Sequence, residues 1–139
     1  MRTKLLLEIT GHLQVKSQKE NEPWAVLYDE HNAIDPNHLN IVRKALAGLA
    51  GARIGNIKAY NGGTLLATAM VGSSNTPVSP LNVVEFLAEF SESSFNGTLD
   101  EFKLEAVSEG IFSYVDNLSI YKDNQTKLAI TWKLTINSI

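Results

Sequence analysis

The sequence contains no cysteine, which excludes disulfide bonds and metal sites built on thiolates. It also contains no basic block. Its 12 lysines and arginines stand against 15 acidic residues, giving a net charge of -3, and this balance argues against a nucleic-acid-binding surface. No apolar run approaches the roughly 20 residues of a membrane-spanning helix, and the first residues lack the features of a signal peptide. We therefore expect a chain that is made in a reducing cytoplasm and is not attached to a membrane.

The composition is typical of one globular protein domain. The chain has 139 residues, of which 44% are apolar and 19% are charged. Domains usually contain about 100–150 residues, and no segment is long enough or polar enough to act as a linker. We predict a single domain that spans residues 1–139.

The clearest pattern lies in the last stretch, Thr126–Ile139, where every second residue is large and apolar. The alternating residues are Leu128, Ile130, Trp132, Leu134 and Ile136. Successive side chains of a strand point to opposite faces, so this period predicts a strand with one apolar face. Burial of these side chains would contribute about 1.5–3 kcal/mol each, which requires a second sheet to pack against.

Seven further segments show strand patterns, and turn residues separate most of them. They are Lys4–Lys16, Trp24–His31, Ile54–Tyr60, Thr64–Val71, Asn82–Phe90, Thr98–Val107 and Phe112–Tyr121. Asn61-Gly62-Gly63 predicts a tight hairpin, and Asn96-Gly97 predicts a turn that would pair Asn82–Phe90 with Thr98–Val107. We expect Phe112–Tyr121 to pair with the final strand across Lys122–Gln125. The whole pattern predicts a mainly β fold, an antiparallel β-sandwich or barrel of about eight strands.

One segment has helical periodicity. Asp35 is a good N-cap and Pro36 suits the first helical position, while Gly48 and Gly51 can end a helix. The apolar stripe between them consists of Leu39, Val42, Leu46 and Leu49, widened by Ile41 and Ala45. This predicts one amphipathic α-helix over about residues 36–49 that packs on the sheets through the stripe.

The histidines and carboxylates are the natural candidates for chemistry. His12, His31 and His38 match no compact zinc spacing, so they would bind a metal only by converging in space with Asp29 or Asp35. Four glutamates, which would face each other across the predicted hairpin, offer the alternative of a glycosidase-like acid pair. They are Glu85, Glu89, Glu101 and Glu105. Their alternation places them on the solvated outer face, which favours a charge-balanced surface.

No stretch matches a phosphate-binding glycine loop or a G-x-S-x-G nucleophile turn. We therefore predict no catalytic residue, no cofactor and no metal. Trp132, Phe86, Phe90 and Phe102 are expected in the core. Phe95 lies in a polar loop, where it either anchors a partner subunit or folds back over the end of the sandwich.

Several segments, taken in order, resemble a family of small virion proteins of tailed bacteriophages. The family opens with a strand of the form L-x-x-x-G-x-L-x-V and a polar loop, as in Leu7–Val15 (LEITGHLQV) followed by Ser17–Pro23. An aromatic strand, an H/D-N-x-I element and a Leu/Ala/Gly-rich helix follow. Here these are Trp24–Asp29, His31–Ile34 and Leu39–Gly51.

The resemblance continues to the end of the chain. An aromatic strand, a loop with N-G-T and a strand with an acidic residue before an apolar pair are matched by Val83–Phe90 and Asn96–Leu104. The last strand resembles L-x-I-x-W-x-L, as in Leu128–Ile136. One departure stands at Ile57–Gly63, where relatives resembling tail-collar fibre proteins carry a glycine-rich A-V-G-x-G.

This resemblance implies a non-enzymatic structural protein of the virion, which decorates the capsid or attaches at the neck or tail. It implies a homotrimer or another symmetric homo-oligomer, with the major capsid protein or neck and tail proteins as partners. It implies neither nucleic-acid nor membrane binding. Our candidate contact residues are Phe95, Asn96, Thr76, Pro77, Val78 and Ile139. The alternative is a carbohydrate-binding or adhesion module that presents Tyr60, Tyr114 and Tyr121.

Overall fold

The computed structural model describes residues 7–71, 77–78 and 82–138. The strands are β1 (Leu7–Lys19), β2 (Ala25–Ile34), β3 (Ile54–Asn61), β4 (Thr64–Met70), β5 (Pro77–Val78), β6 (Val83–Phe90), β7 (Gly97–Leu99), β8 (Glu101–Ala106), β9 (Gly110–Val115), β10 (Ile120–Lys122) and β11 (Thr126–Ser138). Helix α1 spans His38–Leu46, and a short 3-10 helix covers Ala50–Ala52. In the described part of the chain, neither helix has the length and apolarity needed to cross a membrane.

The strands form one curled antiparallel sheet and a small satellite sheet. The order in the large sheet is β4-β3-β8-β9-β2-β1-β11-β6-β5, and β7 pairs with β10 beside it. Apart from the two-residue β5, eight strands curl into a nearly closed, barrel-like sandwich, and most of the described residues are in strands. The predicted fold class is confirmed. At the centre of the sheet, β1 and β11 pair over their entire lengths.

Trp132 is at the centre of the core. On its own sheet it stands between Leu13 of β1 and Phe86 of β6, and it is fully buried. Across the sandwich, Phe90 packs on Phe102 with ring centroids 5.9 Å apart. The four aromatic residues predicted in the core are therefore confirmed there. Four of the five alternating residues of β11 are buried as predicted, while Ile136 is half-exposed at one end of the barrel.

Two predicted hairpins are wrong, because the chain changes partners at Asp100. The predicted strand Thr98–Val107 is broken there into β7 and β8, and β8 pairs with β3 and β9 instead of β6. The Asp100 amide donates to the Tyr60 carbonyl at 2.9 Å, and its carboxylate accepts the Gly62 amide at 2.9 Å. The predicted strand Phe112–Tyr121 is likewise divided, and β10 pairs with β7 and not with the final strand. The final strand pairs with β1 and β6.

Helix α1 is shorter than predicted, and its polar side determines how it docks. Asp35 caps the preceding turn through Asn37, rather than acting as the helix N-cap. The Asn37 side chain donates to the carbonyls of Glu109 and Ile111 at 2.7 and 3.1 Å. Lys44 forms an ion pair of 2.7 Å with Glu109. These contacts fix the helix against the turn between β8 and β9.

The orientation of helix α1 on the barrel contradicts the prediction that its whole apolar stripe packs on the sheets. Of the predicted stripe and its wider edge, only Ile41 is fully buried, against the open end of the barrel. Leu39, Leu46 and Leu49 are 69%, 85% and 53% exposed. The helix ends at Leu46 because Gly48 adopts a positive φ of 81°, which reverses the chain before Leu49.

Asn32 joins β2 to β9, where only two residues of β2 pair with that strand. Its amide donates to Ser113 Oγ and to the Ala33 carbonyl, and Ser113 Oγ donates to the same carbonyl at 2.6 Å. The amide lies directly over Gly11, where a Cβ would stand 2.7 Å from Asn32 Oδ1. A side chain at Gly11 therefore displaces the group that holds the two halves of the sheet together.

We expect Gly11→Ala to lower the free energy of unfolding by about 1–3 kcal/mol, the usual cost of overpacking a core site. Urea denaturation of the purified chain measures this change. The control is the same substitution in an Asn32→Ala chain, where the added methyl group meets no side-chain amide. There Gly11→Ala should change the free energy of unfolding only a little. An equal cost in both backgrounds would contradict this explanation.

Candidate functional site

The four glutamates do not form an acid pair. Glu85 and Glu89 lie on β6, whereas Glu101 and Glu105 lie on β8, and these strands are not neighbours. Each glutamate stands near a lysine instead. The pairs are Lys133–Glu85 (3.5 Å), Lys127–Glu89 (3.9 Å), Lys103–Glu101 (3.8 Å) and Lys58–Glu105 (3.3 Å). The outer surface of the barrel is thus a set of balanced, partly solvated charge pairs.

Two of the three histidines converge on the outer face of β1 and β2. His12 contacts the Asp29 carboxylate through Nε2 and stacks edge-on against His31, with ring centroids 5.1 Å apart. Gln14 donates to the same carboxylate at 3.3 Å. His38 lies apart, against Phe112 at the start of the helix. Within the described ranges, no group of three or more histidine, cysteine, aspartate or glutamate side chains is placed to hold a metal ion.

We expect Asp29→Asn to reduce the loss of stability that the wild-type chain shows as the pH falls into the acid range. Hydrogen bonds from His12 and Gln14 hold the pKa of the Asp29 carboxyl below its usual range. A carboxyl with a lower pKa in the folded chain contributes stability above its unfolded pKa, and this contribution is lost as the pH falls through the folded pKa. Unfolding midpoints of the wild type and the variant should therefore converge between neutral pH and about pH 2.

The His12→Phe substitution tests the assignment of that effect to the pair. It should lower the midpoint less in the Asp29→Asn background than in the wild-type chain, because the contact is already lost. A difference between wild type and Asp29→Asn that stays constant with pH would contradict the proposed linkage.

Lys122 is completely buried beneath the loop that contains Phe95. Its ammonium group donates to the carbonyls of Glu92, Phe95 and Asp123 at 2.7, 2.9 and 3.0 Å. Burial lowers the pKa of the Lys122 ammonium group. The Phe95 ring lies below this cation and packs edge-on against Phe90, with centroids 5.9 Å apart. Of the two positions considered for Phe95, the structure thus has the ring folded back on the core.

The other candidate contact residues are placed as follows. Asn96 is exposed beside Phe95. Pro77 and Val78 form β5, which pairs with the start of β6. Thr76 and Ile139 lie outside the described residues. Contact of these six residues with a partner stays a prediction.

The tyrosines proposed for carbohydrate binding do not form one platform. Tyr60 lies beneath the Lys103 ammonium group, 4.3 Å from the ring centroid, and Tyr114 is paired in register with Lys103. Tyr121 is 64% exposed on the satellite sheet, paired with Thr98. A carbohydrate-binding role stays a prediction that no specific contact favours.

The open end of the barrel holds an apolar pocket of about 300 Å³, which we call the mouth pocket. The sheet contributes Ile9, Val84, Phe86, Leu134 and Ile136, and the helical side contributes Ile41, Val42 and Ala45. Arg53 is the only charged residue among the described residues that line it. Such pockets in barrel ends are typical binding sites.

The mouth pocket continues onto an exposed apolar surface. Leu39 and Leu46 lie one turn on either side of Val42, on the same helix face, and Leu49 precedes the 3-10 helix whose Ala52 lines the pocket. We call these three leucines the leucine rim. Sequence reasoning had placed them in the core. The sequence contains no signal of this exposure, because the width of the apolar stripe is ordinary for a helix that packs on a core.

The opposite end of the barrel is polar and carries charges of both signs. The turn between β1 and β2 presents Glu20, Glu22 and Trp24, all exposed, and we call residues Glu20–Trp24 the acidic tip. Beside it lies a polar cleft of about 440 Å³, whose charged lining residues are Lys19, Glu20, Glu92 and Lys127 among the described residues. Lys127 stands over the Trp24 ring at 5.3 Å. The two ends of the molecule therefore differ in polarity.

Comparison with known proteins gives no relative, because the chain matches no protein-family model, no curated protein and no solved structure.

Proposed function

We propose that this protein is a non-enzymatic structural subunit of a tailed-bacteriophage particle, in which it binds other virion proteins. The ordered resemblance described above supports the setting, with the major capsid protein or a neck or tail protein as partner. The mostly paired charges of the outer barrel surface are consistent with a role in assembly.

The apolar surface that the described residues leave exposed at the mouth carries the proposal. Leucines that are more than half exposed lie beside an apolar pocket, so the described residues at this end of the barrel form a continuous apolar face. Extended exposed apolar surface on a folded domain marks a site of association. A specific contact there would bury on the order of 800 Å² per partner, and the hydrophobic effect would stabilise it.

Incorporation into particles tests this function. In this experiment, a tagged version of the gene replaces the natural gene in the phage genome. The tagged chain should sediment with purified particles at a fixed ratio to the major capsid protein. Leu39→Gln combined with Leu46→Gln should leave the chain in the soluble fraction, because it removes the apolar contact. Both side chains are exposed, so each change should alter the free energy of unfolding by no more than about 0.5 kcal/mol.

Leu65→Gln combined with Met70→Gln is the matched control. These side chains are also exposed, but they lie on β4 and not at the mouth. The control variant should enter particles as the wild type does. Absence of the wild-type chain from particles would overturn the proposed function.

A further inference from the structure

Two asparagine–glycine pairs occur in the chain, Asn61-Gly62 and Asn96-Gly97. This dipeptide is prone to spontaneous deamidation. Glycine has no Cβ, so its backbone nitrogen can closely approach the carbonyl carbon of the asparagine side chain before it. Both asparagines are exposed, and exposure therefore does not distinguish them. The structure does distinguish them, because it gives the two pairs different hydrogen bonds.

The pair Asn61-Gly62 is held at both of its reacting groups. Asn61 Nδ2 donates to the Thr98 carbonyl at 2.6 Å, and the Gly62 amide donates to the Asp100 carboxylate at 2.9 Å. Deamidation requires the Asn61 side chain to leave Thr98, which costs a hydrogen bond. It also requires the Gly62 nitrogen to lose its proton beside a carboxylate, which brings two negative charges together. Both requirements slow the reaction at Asn61.

The pair Asn96-Gly97 lacks this protection. It does not form the hairpin turn that its sequence predicts, and the Asn96 side-chain amide has no hydrogen-bond partner among the described residues. Gly97 adopts a φ of 137°, which side chains other than hydrogen rarely allow, so glycine is required at this position. The Asn96 side chain can therefore turn towards the Gly97 nitrogen without losing a contact.

We propose that Asn96 is a site of spontaneous modification, which converts to isoaspartate and aspartate in the folded chain while Asn61 stays intact. The inference goes beyond the proposed function and does not depend on it, because it concerns the purified chain alone.

The reaction needs only water. The Gly97 nitrogen loses its proton to solvent and attacks Asn96 Cγ, which closes a succinimide ring. The bond between Cγ and the side-chain nitrogen breaks, and this nitrogen leaves as ammonia after taking a proton from solvent. One water molecule then opens the ring. Cleavage of the new bond at Cγ gives aspartate, and cleavage at the main-chain carbonyl gives isoaspartate. Nothing is oxidised or reduced.

Isoaspartate at this position would disturb the contacts of Lys122. Its main chain runs through Cβ and Cγ, which lengthens the backbone between Phe95 and Gly97 by a methylene group. The Phe95 carbonyl accepts from Lys122 Nζ at 2.9 Å, and the Phe95 ring lies 5.1 Å from the same ammonium group. We therefore expect the modified chain to hold the loop of residues 91–97 less firmly than the unmodified chain does.

Incubation of the purified chain in mildly alkaline buffer tests the site. Digestion after glutamate residues releases residues 93–101, in which Asn96 is the only residue with a side-chain amide, and residues 31–85, which contain Asn61. Mass spectrometry with fragmentation measures conversion at each asparagine. In the folded chain Asn96 should convert at least about tenfold faster than Asn61, because two hydrogen bonds protect Asn61. In urea the two rates should lie within about threefold of each other, because these bonds are lost.

Three variants at position 96 separate the possible causes. Asn96→Gln keeps an exposed amide but should abolish the conversion, because its longer side chain would have to close a larger ring. Amide hydrogen exchange in residues 91–97 should become faster after incubation of the wild type and stay unchanged in Asn96→Gln. Asn96→Asp adds the charge without lengthening the backbone, so its exchange should match that of the fresh wild type. Asn96→Ser removes the amide and should also stay unchanged on incubation.

Conversion of Asn61 as fast as that of Asn96 in the folded chain would overturn the assignment of the site. Loop exchange that is the same in the isoaspartate form and the fresh chain would overturn its proposed effect on Lys122.

Discussion

Replacement of Trp132 by alanine is expected to lower the free energy of unfolding by about 3–5 kcal/mol, the usual cost of deleting a buried aromatic side chain. The indole is fully buried, and Leu13 and Phe86 flank it on the two neighbouring strands. The variant therefore keeps a cavity in addition to losing transfer free energy, and urea denaturation of the purified chain measures both together.

The Trp132→Phe variant separates packing from polarity. The indole Nε1 has no hydrogen-bond partner among the described residues, so its removal relieves an unpaired buried donor. Phenylalanine should therefore cost less than about half as much as alanine. Leu87→Ala on the neighbouring strand is the exposed control and should cost about 1 kcal/mol or less. Equal losses for Trp132→Ala and Leu87→Ala would contradict the central position of Trp132.

Lys122→Met should lower the free energy of unfolding by about 2–4 kcal/mol, because it removes a buried cation that satisfies three carbonyls. Methionine fills similar space but donates no hydrogen bond. The loop that contains Phe95 should then separate from the core, since Lys122 connects this loop to the satellite sheet. Amide hydrogen exchange in residues 91–97 should therefore be faster in the variant than in the wild type, while exchange in the strands of the large sheet changes less.

Lys127→Met is the matched control for that prediction. Lys127 is a partly exposed lysine at the same end of the barrel, and its contact with Glu89 is long, at 3.9 Å. Its replacement should change the free energy of unfolding by no more than about 0.5 kcal/mol and leave loop exchange unaltered. Comparable effects of both methionine substitutions would argue against a specific role for Lys122.

Local patterns predicted those parts of the fold that depend on local chemistry. The alternation in β11 predicted a strand with a buried face, and Leu128, Ile130, Trp132 and Leu134 are buried. The turn Asn61-Gly62-Gly63 predicted the β3–β4 hairpin, and both glycines adopt the positive φ values that this turn requires. In both cases the determining interactions lie within a few residues of each other.

The strand partners could not be predicted, because distant groups determine them. The break at Asp100 depends on its bonds with Tyr60 and Gly62, and on the Leu118 amide, which donates to the Asp100 carbonyl at 2.9 Å. Nothing in the pattern of Thr98–Val107 indicates that these groups will meet it. The nearest turn signal, Asn96-Gly97, therefore gave a plausible hairpin that the structure does not contain.

The mouth was missed for a similar reason. Periodicity gives the apolar stripe of a helix but not its rotation on the sheet. That rotation depends on Asn37 and Lys44, which bind the turn around Glu109, a residue far along the chain. Lys44 also lowers the pKa of the Glu109 carboxyl by a hydrogen bond. Since this polar contact directs Ile41 inward, Leu39 and Leu46 remain in solvent.

The pairing of β1 with β11 has a consequence for synthesis of the protein. Leu7 is paired with Ser138, and β11 also pairs with β6. Strands β1 and β6 therefore cannot be joined in one sheet until β11 has been made. A nascent chain on the ribosome would therefore expose the free edge of β1, and that of β6 as well once Phe90 has been made, until β11 follows. Such long-range pairing folds slowly, and exposed strands of this kind are the ones that chaperones bind and that aggregate when chaperones are scarce.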